Sequence, residues 1–266
     1  MKYIFLVLFI VIDMFGGVIK STIIGVNEDK TEATVEVDYV DVGVNGFVVH
    51  QISEGRSQIL NNAVVKSFNP DTKIAKLQLD EYGALVNNAL PSGKWTVSAG
   101  DTVVLAFGYT RGLLLAPSEE IYHRVTKSAR VQWVHPDLFA TLLSFNGHPT
   151  PLREDFTKMS IDNSVGLLYI YLHKKVYTAD VKSFKILAIS DADLKQDKEP
   201  GLPFYTRVPE INANWFGAGS WHLSDYEPHY YELLIEANPK NMELYNNIKA
   251  LGEDFDDLLE EFEIKG

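Results

Sequence analysis

The side chains best placed for chemistry in this chain are seven histidines, a serine set among glycines and a few adjacent carboxylates. His222, Asp225 and His229 come nearest to a metal set, because nitrogen and oxygen donors of this kind suit zinc. Their spacing specifies no tetrahedral geometry. No two histidines stand four apart on one helical face, and no His-Glu-x-x-His occurs. Histidines satisfied in a core or left in solvent are the commoner use of the residue. His135 and His148 each precede a proline, which marks helix and turn boundaries.

Nucleophile and phosphate patterns are equally thin. Gly217-Ala218-Gly219-Ser220-Trp221-His222 sets a serine near a histidine but lacks the Gly-x-Ser-x-Gly elbow that lifts a serine above a sheet, so it reads as an aromatic-glycine turn. Gly93-Lys94 lacks the upstream glycine and the helix of a phosphate loop. Glu119 with Glu120, and Glu154 with Asp155, would serve acid-base work only if the fold paired and desolvated them. Surface solvation is the expectation for all four. With no cysteine, thiol catalysis, Cys-zinc sites and disulfides fall away. The residues supply no catalytic, metal or cofactor site, and the chain reads as a non-enzymatic binding protein.

The elements that would position these residues fall into an α+β plan. The chain has 266 residues, room for one or two domains with a real core. A net charge of −12 argues against nucleic acid as a partner. Met1-Lys2 and the apolar run Tyr3 to Ile12 read as a signal peptide over residues 1–19. Asp13 interrupts the run well short of the roughly 20 residues that span a bilayer. Gly16 and Gly17 are the small residues available for cleavage, without an Ala-x-Ala site.

Residues 20–117 alternate with β-branched periodicity between turn signals. Ser21 to Val26, Thr31 to Val37, Gly46 to Ile52, Gln58 to Phe68, Lys73 to Leu79, Thr102 to Gly108 and Leu113 to Ala116 predict a seven-stranded antiparallel barrel, SH3-like or OB-like. Residues 118–203 predict a mixed α/β part. Its helices are Asp137 to Phe145 and Arg153 to Met159, and its strands Val165 to Leu172, Lys175 to Asp180 and Ser183 to Ile189. Asp191 to Pro203 is a polar, exposed loop. In residues 204–266, Phe204 to Trp221 is aromatic and glycine-rich without a period, and two helices follow, Pro228 to Asn238 and Pro239 to Phe262. Leu251, Phe255, Leu258, Leu259 and Phe262 form an apolar stripe on the last, otherwise acidic helix. Such a stripe either docks on the chain's own core or zips onto a second chain.

Several stretches are similar to a known family. Val40-Asp41-Val42-Gly43-Val44-Asn45-Gly46-Phe47-Val48-Val49, Leu90 to Trp95 and Gly100 to Tyr109 resemble the N-terminal domain of the plasminogen-binding protein PgbA family. So do Gln132 to Thr141, Gly147 to Leu152, Leu202 to Pro209 and Glu236-Ala237-Asn238-Pro239. The resemblance implies an exported protein of Gram-negative bacteria, in the periplasm or at the cell surface. It also implies host plasminogen as the partner and no enzymatic activity. Kringle modules of plasminogen take lysine as a zwitterion, so a ligand presents a lysine beside an acid or at its own C-terminus. Lys195 and Lys198, alternating with Asp197 and Glu199, and the penultimate Lys265 are the lysines available for that contact. The alternative reading is a periplasmic scaffold module of an envelope assembly.

Overall fold

The computed structural model describes residues 17–82, 95–196 and 200–264. Strands β1 (Ile19–Val26), β2 (Glu32–Glu36), β3 (Asn45–Ser53), β4 (Arg56–Asn69), β5 (Ile74–Glu81) and β6 (Thr102–Leu105) close a barrel in the order β1-β2-β5-β4-β3-β6. All its pairings are antiparallel. Closure falls to β6, whose Leu105 stands opposite Ile19 on one side and Gly46 on the other. The period-2 pattern read from the sequence is the cause: Ala33 and Val35 of β2, and Ala75, Leu77 and Leu79 of β5, point inward, while polar neighbours between them face out. Turn chemistry sets the registers. Asn27 Oδ1 accepts from the Thr31 and Glu32 amides at 2.8 and 2.9 Å, and Asn69 Oδ1 accepts from those of Asp71 and Thr72 at 2.9 and 3.2 Å.

The seventh barrel strand expected from Leu113 to Ala116 belongs elsewhere. Ala106 and Gly108 adopt positive φ (56° and 81°), turning the chain out of the barrel, and β7 (Arg111–Leu115) becomes an inner strand of a second sheet. That sheet adds β8 (Gln132–Val134), β9 (Leu167–Leu172), β10 (Lys175–Asp180) and β11 (Ile186–Asp191), ordered β11-β10-β9-β7-β8. β7 runs parallel to both neighbours, so both its faces are covered, and an unbroken apolar Leu113-Leu114-Leu115 run is what such a position requires.

Helix α1 (Glu119–Ser128), capped by Ser118, and strand β8 add to the elements expected from the sequence. Helices α2 (Pro136–Asn146) and α3 (Arg153–Asn163) lie where periodicity placed them. Gly147, at φ 74°, closes α2 in the left-handed region. The irregular stretches 192–196 and 200–225 lie between β11 and α4 (Tyr226–Ala237). The single terminal helix expected to Phe262 is broken into α5 (Met242–Lys249), a 3-10 turn at Glu253–Phe255 and α6 (Asp256–Leu259). Gly252, at φ 102°, supplies the break. The stripe stays at home: Leu258 is buried, and Leu251, Phe255, Leu259 and Phe262 pack against the core between the sheet and α2 to α5.

One buried carboxylate ties the two sheets together. Asp180, fully buried at the end of β10, accepts from the Asn45 amide at 3.2 Å and the Asn45 side chain in the barrel. It also accepts from the Tyr109 hydroxyl at 2.7 Å and from the Lys182 and Ser183 amides at 3.0 and 2.8 Å. Burial beside that carboxylate pushes the Tyr109 hydroxyl well above the ordinary tyrosine range, which keeps it a donor.

Candidate binding surface

The side chains singled out for reaction chemistry are absorbed into structure. His222 and Asp225 are exposed, whereas His229 is half-buried with Nε2 3.0 Å from the Pro151 carbonyl. Among the described residues no three His, Asp or Glu side chains converge as a metal site would require. Ser220 Oγ donates to the Gly217 carbonyl at 2.8 Å, closing its own turn. Glu119 and Glu120 pair with His123 and Arg124 one turn on, at 3.6 and 2.5 Å. Asp155 departs from the solvated state expected of it. It is fully buried, accepts from the Leu152 amide at 2.9 Å and Asn146 Nδ2 at 2.7 Å, and holds His148 Nδ1 at 3.0 Å. Its role is to cap α3 and fix the segment between α2 and α3.

Of the lysines, Lys195 lies on the described surface, and Lys198 and Lys265 lie outside the described residues, as do Asp197, Glu199 and the Leu90 to Lys94 stretch. Lys195 is exposed just past the outer strand β11. The backbone leading to it is fixed. The Ala192 amide donates to the Lys174 carbonyl at 2.6 Å, and the Tyr171 hydroxyl reaches the Ala192 and Leu194 carbonyls, each at 3.1 Å. Burial holds the Tyr171 hydroxyl above its usual range, so it remains protonated in this anchoring role. Leu194 packs against the core on the barrel side.

Around Lys195 the structure gathers charges that the linear sequence keeps apart. Lys175 stands opposite Asp191 in the β10–β11 register, with Nζ 2.5 Å from Oδ1. Lys174, in the β9–β10 turn, reaches Asp193 at 2.9 Å. Both carboxylates are well exposed, so each pair contributes at most about 1 kcal/mol and exchanges partners readily. The result is a ridge of Lys174, Lys175 and Lys195 interleaved with Asp191 and Asp193. Sequence reading found Lys195 but not its partners. The turn at Asp180 to Lys182 is the signal for them: counting outward from it along β10 and β11 carries Lys175 to within one residue of Asp191, and the register shift between Thr178 and Ala179 supplies the last step.

Barrel, second sheet and ridge together define a two-core α+β protein with ammonium and carboxylate groups alternating along an outer sheet edge. The sequence profile of the family described as plasminogen-binding protein PgbA N-terminal matches residues 18–234, and the chain belongs to that family. The match takes in the whole barrel, the whole second sheet and the ridge. Two Helicobacter pylori proteins named plasminogen-binding protein PgbA are similar to it. The one from strain J99 is 26% identical over 199 residues, 73% of this chain and 42% of the relative. The one from strain 26695 is 26% identical over 201 residues, 74% of this chain and 43% of the relative. The chain therefore matches less than half the length of these curated relatives. No solved structure matches it.

Proposed function

We infer that this chain is an exported, non-enzymatic protein that holds a protein partner, that plasminogen is the partner, and that the ridge around Lys195 is the contact. Family membership and the names of the relatives support the partner. The observation that carries the surface is the exposed Lys195 two residues from Asp193, on a backbone already fixed by Tyr171. A kringle that binds lysine as a zwitterion needs an ammonium and a carboxylate at once, and this ridge offers both without ordering a loop first. Lys198 continues the same segment, and Lys265 offers a second lysine for the contact.

Export rests on the apolar run Tyr3 to Ile12, which lies outside the described residues. No helix of the described residues is long and apolar enough to cross a membrane. Barrel strand β1 opens at Ile19, opposite Leu105, so the signal expected over residues 1–19 keeps the barrel seam whole only if it is cut ahead of Val18 and not after residue 19. Protease treatment of intact cells tests exposure at the cell surface: digestion places the ridge within reach of a host protein, and protection assigns the chain to the periplasm.

Binding of the chain to immobilised plasminogen, with and without a lysine analogue, tests the contact. Competition by the analogue is expected, and Lys195→Ala should weaken binding about tenfold, the size of one good interface residue. Binding untouched by the analogue refutes a lysine-directed contact. Loss in Lys265→Ala with Lys195→Ala unchanged moves the contact to Lys265.

A further inference from the structure

Residues 212–221, Asn-Ala-Asn-Trp-Phe-Gly-Ala-Gly-Ser-Trp, form ten consecutive positions without a charge in a chain that is 23% charged and carries −12. The loop is not slack. The Asn212 amide donates to Ser144 Oγ at 3.0 Å, and Asn214 donates from its amide to the Gly147 carbonyl at 3.0 Å and from Nδ2 to the Asn146 carbonyl at 2.7 Å. At the other end Thr150 donates from its amide to the Gly219 carbonyl at 3.2 Å and from Oγ1 to the Trp221 carbonyl at 2.6 Å. Gly219 packs so closely on His148 that a Cβ there would stand 3.1 Å from the ring. His148 is in turn fixed by buried Asp155.

What this clamped backbone presents is apolar. Trp215 is 92% exposed, Phe216 85% and Trp221 60%, and Phe145, next to the Asn146 carbonyl that holds Asn214, is 86% exposed. Large aromatics are ordinarily the residues a fold hides. Here four stand out at one end of α2, with their backbone held in place before any partner arrives. Side chains that protrude rather than line a groove suit a deformable apolar medium. Indole, with an apolar body and one N–H donor, suits the boundary between headgroups and acyl chains. Charge selects the kind of bilayer. The last turn of α2 carries no basic residue, and its carbonyl end is the negative end of the helix. An acidic chain with no cation in its apolar loop is repelled by anionic lipid. Exposed aromatic faces beside a helix carbonyl end attract the quaternary or primary ammonium that is the outermost group of a zwitterionic lipid.

We propose that the 212–221 loop and Phe145 insert into the interface of a zwitterionic phospholipid bilayer and hold the protein against a membrane surface. The proposal is independent of the lysine ridge, whose residues lie in the β9–β10 turn, on β10 and β11 and in the segment after them.

The test uses the full chain with phosphatidylcholine vesicles, read by co-sedimentation and by quenching of tryptophan fluorescence with brominated phosphatidylcholine. The apolar run Tyr3 to Ile12 can partition by itself, so the deciding quantity is the difference between the parent and the Trp215→Ser/Phe216→Ser double variant. Both residues are exposed, so the variant should keep the parent's circular dichroism and melting temperature. Expected are quenching in the parent that largely disappears in the variant, at least a roughly tenfold fall in vesicle partitioning, and weaker binding as phosphatidylglycerol replaces phosphatidylcholine. Equal partitioning of parent and variant overturns the proposal, as does tighter binding to the anionic vesicles. Conversion of a dimer to a monomer by the same substitutions, without lipid, overturns it in favour of self-association.

Discussion

Asp180 shows how much of this molecule depends on one side chain. Its carboxylate takes five hydrogen bonds, two from Asn45 and one each from Tyr109, Lys182 and Ser183, and it is shut off from water. Asp180→Ala leaves the Asn45 and Tyr109 donors buried and unsatisfied, and should lower unfolding stability by about 3 kcal/mol or more, read from chemical denaturation. Burial holds three histidines, His135, His173 and His229, below the usual range and so makes the fold sensitive to acid. His173 is stacked on Tyr231, with ring centroids 5.7 Å apart, and His229 sits against the Pro151 carbonyl; burial pushes both below the usual histidine range. As pH falls below about 6.5 the unfolded chain takes up their protons before the folded chain does. The stability they contribute is therefore complete above that value and is lost as pH falls toward their folded values. Melting temperatures should drop between pH 7 and pH 5, and His173→Gln/His229→Gln should flatten the drop.

At the scale of elements, the junction between barrel and sheet is made of backbone against backbone. The Gly166 amide donates to the Gly108 carbonyl at 3.0 Å, and a Cβ on Gly166 would stand 2.5 Å from the Gly108 carbonyl carbon and 2.6 Å from the Tyr109 nitrogen. Neither obstacle is the end of a side chain that can swing away. Gly166→Ala should cost about 3 kcal/mol, seen as a lower denaturation midpoint at unchanged slope. A midpoint within error of the parent would show that the junction yields. The elements themselves were unevenly legible. Barrel strands β2 and β5 announce themselves by alternation, and α2 and α3 by their prolines and apolar spacing. Helix α1 was legible too, although absent from the elements expected: Ser118 caps it, Glu119 and Glu120 fill its first turn, and Ile121, Tyr122 and Val125 stand at helical spacing on its one buried face. The terminal stripe reads as one helix because Gly252 interrupts the backbone without interrupting the apolar spacing.

Across the whole molecule, one hydrophobic cluster runs from the barrel interior through Leu114, Tyr169 and Tyr171 on one face of the second sheet to Tyr122 of α1. The other face of the same strands, with Leu113, Leu115, Leu168 and Ile170, belongs to the cluster under α2 to α5. β7 and β9 thus serve both cores, and neither core keeps its wall if the other melts. Calorimetry should show a single transition with equal calorimetric and van't Hoff enthalpies. Two resolved transitions would show that the barrel folds alone.

What the sequence determined by itself was local: the strand alternation of the barrel, the capped helices of the second part, the acidic balance and the family. The strand and helix signals lie within a few residues of one another, where the period of the backbone alone relates them, and charge and family are read from residue types along the chain without any fold. The tertiary structure decided which strand left the barrel, why Asp155 and Asp180 are buried, which carboxylates stand beside Lys195, and which aromatics of the 212–221 loop face outward. Each of these depends on groups far apart in the chain, such as Asn45 and Asp180, 135 positions from one another. Burial of a charge or exposure of an indole is settled by what packs against it, and that is known only once the strands have found their registers.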